Sequence, residues 1–97
     1  MAELVYLPAG RQARTNATKI MYWVYALKSV SKKYIYVGIT DNIDRRIMQH
    51  NAGRSKTTRF YSPFKLIYSE ATDTRQNARK REKYLKSGVG KEFLKKL

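Results

Sequence analysis

The sequence predicts one small α/β (α+β) domain in which strands and helices alternate along the chain. Its 97 residues are enough for a single modest core. Two neighbouring runs, 22–27 and 34–40, alternate aliphatic residues with aromatic or polar ones, which is the period of a half-buried strand. Later stretches carry helix caps and helical spacing instead.

The first two strands are predicted to form an antiparallel hairpin across a polar loop. A turn folded symmetrically about Val30–Ser31 would place Tyr25 directly opposite Tyr36, with their Cβ atoms roughly 4.5–5.5 Å apart. Both phenols would then share one face, and the aliphatic residues would face the main core. Gly38 follows on the tyrosine face and, having no side chain, is expected to let a ligand approach the backbone.

A helix is predicted directly after the second strand. Asp41 and Asn42 are suited to cap its first turn, and its apolar spacing continues to about His50. Arg46 and His50 lie four residues apart, so their side chains are expected to share one side of this helix.

The second half of the chain is predicted to add a loop, a strand and two helices. The loop 54–63 is polar and basic but interleaved with aromatic residues, and the third strand covers 65–70. A helix with a threonine cap then runs to about Ser87, and residues 90–97 form a short last helix.

The charge of the chain makes a polyanion the expected partner. Lys and Arg number 21 against seven Asp and Glu, for a formal net charge of +14. Each phosphate that such a protein neutralises releases condensed counterions, which favours nucleic acid. The alternative is that the charge serves solubility or unspecific attachment to anionic surfaces.

The ends and the composition set further limits. Residues 1–20 lack strand or helix periodicity, so we expect a flexible leader before a folded domain over 21–97. No apolar run approaches the ~20 residues of a membrane span, and no secretory signal is recognisable, so no membrane partner is expected and cytoplasm is the expected location. The absence of cysteine excludes disulfides and thiolate metal sites.

An ordered set of residues resembles the GIY-YIG nuclease family. The GIY element is represented only by its tyrosine, in Trp23-Val24-Tyr25, whereas Tyr36-Val37-Gly38 matches the YIG element more closely. Arg46 follows ten residues after Tyr36 and His50 four residues later, as in the family pattern. The resemblance covers about residues 21–97 and is closest to a small stand-alone branch related to the N-terminal nuclease module of an excinuclease.

This resemblance implies a three-stranded antiparallel sheet flanked by helices, and metal-dependent hydrolysis of DNA phosphodiester bonds. The metal-binding glutamate of the family maps to Glu82, which would hold Mg²⁺ (or Mn²⁺). Glu82 also lies on the apolar stripe of a basic helix, between Ala78 and Leu85, where a carboxylate needs a partner to offset its desolvation. The alternatives to a metal are salt bridges to nearby cations, namely Arg79, Lys83 and Lys86.

The expected mechanism gives each residue of the set a role. Arg46 donates to a non-bridging phosphate oxygen, whose geometry suits a guanidinium. Tyr25 is the favoured general base and Tyr36 orients the water, although a phenol of pKa ~10 would need that pKa lowered by cations or the metal. His50 would shuttle a proton or hold a phosphate.

Further residues are expected to contact DNA, with branched or damaged DNA in repair or recombination among the expected substrates. They are Gly38, Thr57, Thr58, Arg59, Lys80, Arg81, Lys83 and Lys86. Thr57, Thr58 and Arg59 have loop ordering as an equal alternative. An asparagine that many family members bring from the last helix is missing, since 78–97 contain none, and Lys91 is the residue considered for its space. A non-catalytic nucleic-acid-binding module is therefore the main alternative, and a purely structural basic protein is a third.

Overall fold

The computed structural model describes residues 21–97, which form a three-stranded antiparallel sheet with helices on both faces. The strands are β1 (Tyr22–Ser29), β2 (Ile35–Thr40) and β3 (Phe64–Thr72), and β1 lies in the centre. The helices are α1 (Ile43–Asn51), α2 (Arg75–Lys86) and α3 (Gly88–Lys95), with one turn of 3-10 helix at Arg59–Tyr61. This architecture confirms the predicted fold class. The predicted leader 1–20 lies outside the described residues.

The central strand β1 separates two cores. On one side, which we call the aliphatic face, the buried residues are Val24, Ala26 and Val37 of the sheet with Ala78, Leu85 and Leu94 of α2 and α3. On the other side, the aromatic face, they are Trp23, Tyr25, Leu27, Ile43 and Phe64. Residues 23–27 are all buried because helices or loops cover both faces of β1. The predicted division of aliphatic residues from tyrosines is therefore confirmed.

The predicted register of the hairpin is wrong by two residues. Tyr25 pairs with Gly38, and Tyr36 pairs with Leu27. The turn begins later than expected because Ser29 organises it: its Oγ accepts hydrogen bonds from the backbone N–H groups of residues 31 and 32 at 3.3 and 3.1 Å. Since a shift of two positions preserves the face of every side chain, Tyr25 and Tyr36 still lie on the same side.

Short polar side chains fix the helix ends. Asn42 caps α1 by accepting from the backbone N–H of Arg45 at 3.0 Å, as predicted for this region. Thr74 caps α2 in the same way. Ser87 ends α2 and also caps α3, so that the last helix begins at 88 rather than 90. Within 21–97, none of the helices has the length and apolar character that a membrane crossing needs.

Candidate active site

Four of the predicted catalytic residues meet on the aromatic face, where β1 and β2 pack against α1. The ring centroids of Tyr25 and Tyr36 lie 6.1 Å apart, and those of Tyr36 and His50 lie 4.8 Å apart. The Tyr25 hydroxyl lies 3.1 Å from Nε2 of His50. The guanidinium of Arg46 lies close to both phenols. Tyr25 and Tyr36 raise the pKa of Arg46, and Arg46 in turn acts to lower the pKa of Tyr25.

Gly38 leaves the space that the rings of Tyr25 and Tyr36 occupy. A Cβ at this position would lie 2.8 Å from the Tyr25 hydroxyl oxygen and 2.8 Å from Cε2 of Tyr36. The space over the Gly38 backbone is thus already filled by these rings, and Gly38 is buried. The glycine is needed to let the tyrosines lie across β2, and its predicted contact with nucleic acid stays a prediction.

His50 is buried and held at both ring nitrogens. Its Nε2 faces the Tyr25 hydroxyl, and its Nδ1 lies 2.9 Å from Oγ1 of Thr58. Burial, with a smaller effect from the positive charge of Arg46, lowers the pKa of His50 to about 4. The ring is therefore neutral at pH 7, with one nitrogen donating and the other accepting. His50 has no exposed surface, and its predicted role of holding a phosphate stays a prediction.

The two tyrosines differ in access. Tyr25 is fully buried, whereas Tyr36 is only partly buried. Burial raises the pKa of Tyr25 to about 12, against the opposing effect of Arg46. The expected lowering of this pKa is thus reversed in the protein alone, because the desolvation of the phenol outweighs the nearby cation. Tyr36 is the phenol that an approaching substrate can reach.

Arg46 remains a charged donor beside the two phenols. Its Nη1 donates to Oε1 of Gln49 at 2.8 Å, which steadies one arm of the guanidinium along α1. Burial lowers the pKa of Arg46, but the hydroxyls of Tyr25 and Tyr36 outweigh that effect and leave the pKa above its ordinary value. A planar, permanently charged fork in this position suits the oxygens of a phosphate.

Glu82 lies on a helix that packs against the other side of the sheet. Its Oε2 forms an ion pair with Nζ of Lys86 at 3.1 Å, and its side chain is 17% exposed. The salt bridge that the sequence left as an alternative is therefore present. Because Ala78 and Leu85 of the same helix bury into the aliphatic face, β2 and β1 separate Glu82 from Tyr25. The convergence of Glu82 with the other four residues stays a prediction.

The orientation of α2 nevertheless turns Glu82 toward β2. On one flank of the helix, Arg81 binds Glu70 of β3 through two hydrogen bonds of 2.7 and 3.1 Å. The opposite flank carries Glu82 and Lys86, and Lys86 lines a groove together with Tyr36. β2, which carries Tyr36, is an edge strand of the sheet.

The donor set limits which metal the site could hold. Residues 21–97 contain no group of three or more His, Cys, Asp or Glu side chains that could enclose a metal ion. Mg²⁺ commonly uses one or two carboxylates and completes its shell with water and substrate phosphate oxygens. A single, largely buried carboxylate such as Glu82 fits that arrangement, but these residues do not form an all-protein metal cage.

The predicted DNA contacts on the loop after α1 separate into two kinds. Thr58 is fully buried against His50, which agrees with the loop-ordering alternative, and its contact with nucleic acid stays a prediction. Thr57 and Arg59 on either side of it are exposed. Nothing in the sequence distinguished the inward threonine from the outward one, because the loop has no periodicity.

The predicted contacts on α2 also differ among themselves. Arg81 is held by Glu70 and lies over the Tyr84 ring. A contact with nucleic acid would compete with this ion pair, and that contact stays a prediction. Lys80 and Lys83 are exposed, and within the described part of the chain neither forms an ion pair. Lys86 is paired with Glu82 but still lines the groove beside β2.

Comparison with known proteins agrees with this geometry. The model of the GIY-YIG catalytic domain matches residues 21–96. A UPF0213 protein of Natronomonas pharaonis is 37% identical over 67 residues, covering 68% of this chain and 78% of its own. A UPF0213 protein of Clostridium perfringens is 40% identical over 67 residues, covering 68% of this chain and 71% of its own.

Among solved structures, the solution structure of a UPF0213 protein of Bacillus halodurans is 34% identical, with a TM-score of 0.46, and covers 76% of this chain and 81% of that one. The family match spans almost the whole described region, including the four clustered residues. The chain belongs to the GIY-YIG family, which is a nuclease-type family.

Proposed function

We propose that this protein is a metal-dependent endonuclease that hydrolyses DNA phosphodiester bonds. The observation that carries the proposal is the cluster of Tyr25, Tyr36, Arg46 and His50 on one face of a GIY-YIG domain. The net charge of +14 supports a nucleic-acid substrate. We propose the cytoplasm as its location and DNA repair or recombination as its process.

The described contacts support separate roles for the two tyrosines. Tyr36, being accessible, contacts the attacking water, and Arg46 donates to a non-bridging phosphate oxygen. Tyr25 donates its hydroxyl proton to Nε2 of His50 and thereby positions its oxygen beside Arg46 and Tyr36. This arrangement exchanges the roles that the sequence favoured for Tyr25 and Tyr36.

His50 and Thr58 act behind the tyrosines as positioning residues. When Nε2 accepts from Tyr25, Nδ1 carries the proton and donates to Thr58, which fixes the tautomer. Because the pKa of His50 is about 4, it orients the Tyr25 hydroxyl and is a poor store for a transferred proton. The proton-shuttle role considered for His50 is therefore not part of the proposal.

Glu82 would hold the Mg²⁺ (or Mn²⁺) ion at the edge of the sheet. When bound, the ion supplies positive charge for the phosphate and the leaving oxygen. A phosphate that crosses the edge of β2 would lie between Arg46 on one face and Glu82 on the flank of α2. The ion pair with Lys86 keeps the Glu82 carboxylate compensated until the metal and the substrate arrive.

The test is nicking of supercoiled DNA with Mg²⁺ and with a chelator. Glu82→Gln removes the proposed metal ligand and should lower the rate by about 100-fold or more, the size of effect expected when charge stabilisation of a transition state is lost. Glu92→Gln, which neutralises an exposed carboxylate paired with Lys95 on α3, is the matched control and should stay within about twofold. Unchanged nicking by Glu82→Gln would refute the metal assignment.

The second candidate is a binding module that keeps the fold and cuts nothing. The ion pair between Glu82 and Lys86 favours it, because the proposed metal ligand is already compensated. It predicts DNA binding that falls steeply as salt rises, with no Mg²⁺-dependent nicking by the purified wild-type protein. Reproducible nicking that Arg46→Ala abolishes would exclude it.

A further inference from the structure

A groove runs along the open edge of β2, directly beside the candidate active site. Its volume is about 870 Å³. Because Tyr36 lines it, the groove begins beside the cluster of Tyr25, Tyr36, Arg46 and His50. The other wall comes from the end of α2 and from α3. Cavities of roughly 300–1,000 Å³ enclose small ligands, so this groove can take a short piece of a larger molecule.

The groove is strongly positive. Five lysines line it and no acidic side chain does; they are Lys28, Lys33, Lys86, Lys91 and Lys95. Lys86 and Lys95 each pair with a glutamate of their own helix. Within residues 21–97, the other three have no ion pair and are free to bind an anion. A polyanion is the ligand that this arrangement attracts.

The floor of the groove is apolar and aromatic. Among the aliphatic residues, Ile35 is partly exposed, whereas Val37, Leu85 and Leu94 are buried beneath the surface of the groove. Tyr34 adds a ring that is held rigidly, because it stacks on Tyr61 with 3.7 Å between centroids and an interplanar angle of 6°. Surfaces that combine lysines with accessible aromatic rings bind unpaired nucleic acid, because phosphates meet the charges and bases stack on the rings. In this groove the accessible apolar surface is that of Tyr34 and Ile35, which are both partly exposed.

We propose that this groove binds an unpaired DNA strand that continues from the scissile phosphate. A duplex would present its phosphates to the lysines but would hide its bases from Tyr34 and Ile35. The substrate class is therefore DNA with a single-stranded segment beside the cleavage site, such as a flap or a gap. The link to cleavage rests on the proposed nuclease function, whereas the binding itself does not.

The first experiment measures binding without cleavage. Fluorescence anisotropy in a chelator compares a short single-stranded DNA, the same strand with abasic central positions, and the duplex. If bases rest on the floor, the abasic strand and the duplex should each bind about fivefold or more weakly than the intact strand. Equal affinity for the intact and abasic strands would overturn the proposal, and tighter binding of an RNA of the same sequence would overturn the assignment to DNA.

The second experiment assigns the binding to the groove. Lys33→Gln with Lys91→Gln removes two exposed charges from it, and Lys65→Gln with Lys96→Gln removes two exposed lysines outside it. The groove pair should weaken single-strand binding about tenfold and reduce the salt slope by about 1.4, since each contact to a single strand contributes ~0.7. The control pair should change affinity by less than about threefold. Equal losses in both pairs would overturn the proposal.

The third experiment separates this proposal from the function it builds on. Flapped, gapped and fully paired DNA are compared as substrates for the wild type and for the groove pair. Preferential cutting of flapped or gapped DNA that the groove pair loses would support both proposals. If nothing is cut while the binding results hold, the nuclease proposal fails and the groove stands. If all three are cut equally, the groove does not select the substrate.

Discussion

The two faces of the sheet bury different kinds of side chain. Among residues 21–97, the fully buried side chains of the aliphatic face, between the strands and α2 and α3, are apolar. The aromatic face buries Tyr25, His50, Thr58 and Ser69, each with a polar atom away from water. Burying polar groups costs stability unless every hydrogen bond is made. The aliphatic face is therefore expected to provide most of the stability, whereas the aromatic face loses some stability because it holds reactive polar groups in place.

The strongest test of this difference is a cavity in the aliphatic face. Leu85 is fully buried, so Leu85→Ala should lower the free energy of unfolding by about 2–5 kcal/mol in chemical denaturation. The matched control is Val89→Ala on α3, where an exposed side chain should change stability by less than about 0.5 kcal/mol. A small effect of Leu85→Ala would contradict the expectation that the aliphatic face provides most of the stability.

The pH dependence of stability should reveal the cost of burying His50 on the aromatic face. The pKa of His50 falls from 6.5 in the unfolded chain to about 4 in the folded protein. The unfolded chain therefore binds more protons between these values, so stability is complete above pH 6.5 and is lost as the pH falls toward 4, by about 2–3 kcal/mol.

Denaturation at several pH values measures this loss. His50 is the one histidine of the sequence, so His50→Gln should remove most of the slope in that window while lowering stability at pH 7. An unchanged slope in the variant would show that carboxylates, rather than this ring, produce the pH dependence.

A methyl group at Gly38 should disturb the phenols without touching the aliphatic face. Its Cβ would meet the Tyr25 hydroxyl and the Tyr36 ring at 2.8 Å, so Gly38→Ala should cost about 1–3 kcal/mol. Gly88→Ala is the control, because among residues 21–97 a Cβ there would meet nothing within 4 Å beyond its chain neighbours and its own helix backbone, and the effect should be near zero. Nicking should fall for Gly38→Ala more than stability alone explains.

The bond between Thr58 and His50 offers a finer test. Thr58→Val keeps the shape but leaves Nδ1 of His50 without its partner, at a cost of about 1–2 kcal/mol. The neighbouring Thr57→Val changes an exposed threonine whose hydroxyl, among residues 21–97, bonds to Ser55, and it should have little effect. If Thr58 positions the site, nicking by Thr58→Val should also fall; equal behaviour of the two variants would contradict that role.

The smallest effect is expected at Ser69, with the opposite sign. Its Oγ is buried opposite Tyr25 and, among the described residues, has no hydrogen-bond partner. Ser69→Ala removes this unsatisfied group and should leave stability unchanged or raise it by up to about 1 kcal/mol, as measured by thermal denaturation. A clear loss of stability would show that the hydroxyl has a partner after all.

The sequence was informative wherever periodicity or a local cap decides the structure. Alternation along the two strands separated Val24 from Tyr25 correctly, and the spacing of Arg46 and His50 brought both near the phenols. The register failed because it depends on the side chain of Ser29 within the turn.

Features that depend on tertiary packing were not accessible in this way. Access to Tyr25 and Tyr36 differs because of how the rings lie over Gly38, which no alternation records. The inward turn of Thr58 depends on the buried position of His50. The groove could not be predicted either, since Lys33 and Lys91 come together only after α3 packs beside β2.

The open edge of β2 also bears on how copies of the protein behave toward one another. An edge strand exposes unpaired backbone groups that can recruit a strand from a second molecule and start aggregation. Here Lys33, Lys91 and Lys95 surround that edge, and two copies meeting there would bring like charges together. The side chains proposed to attract DNA would thus also keep the protein monodisperse, so variants that neutralise them should be checked for self-association.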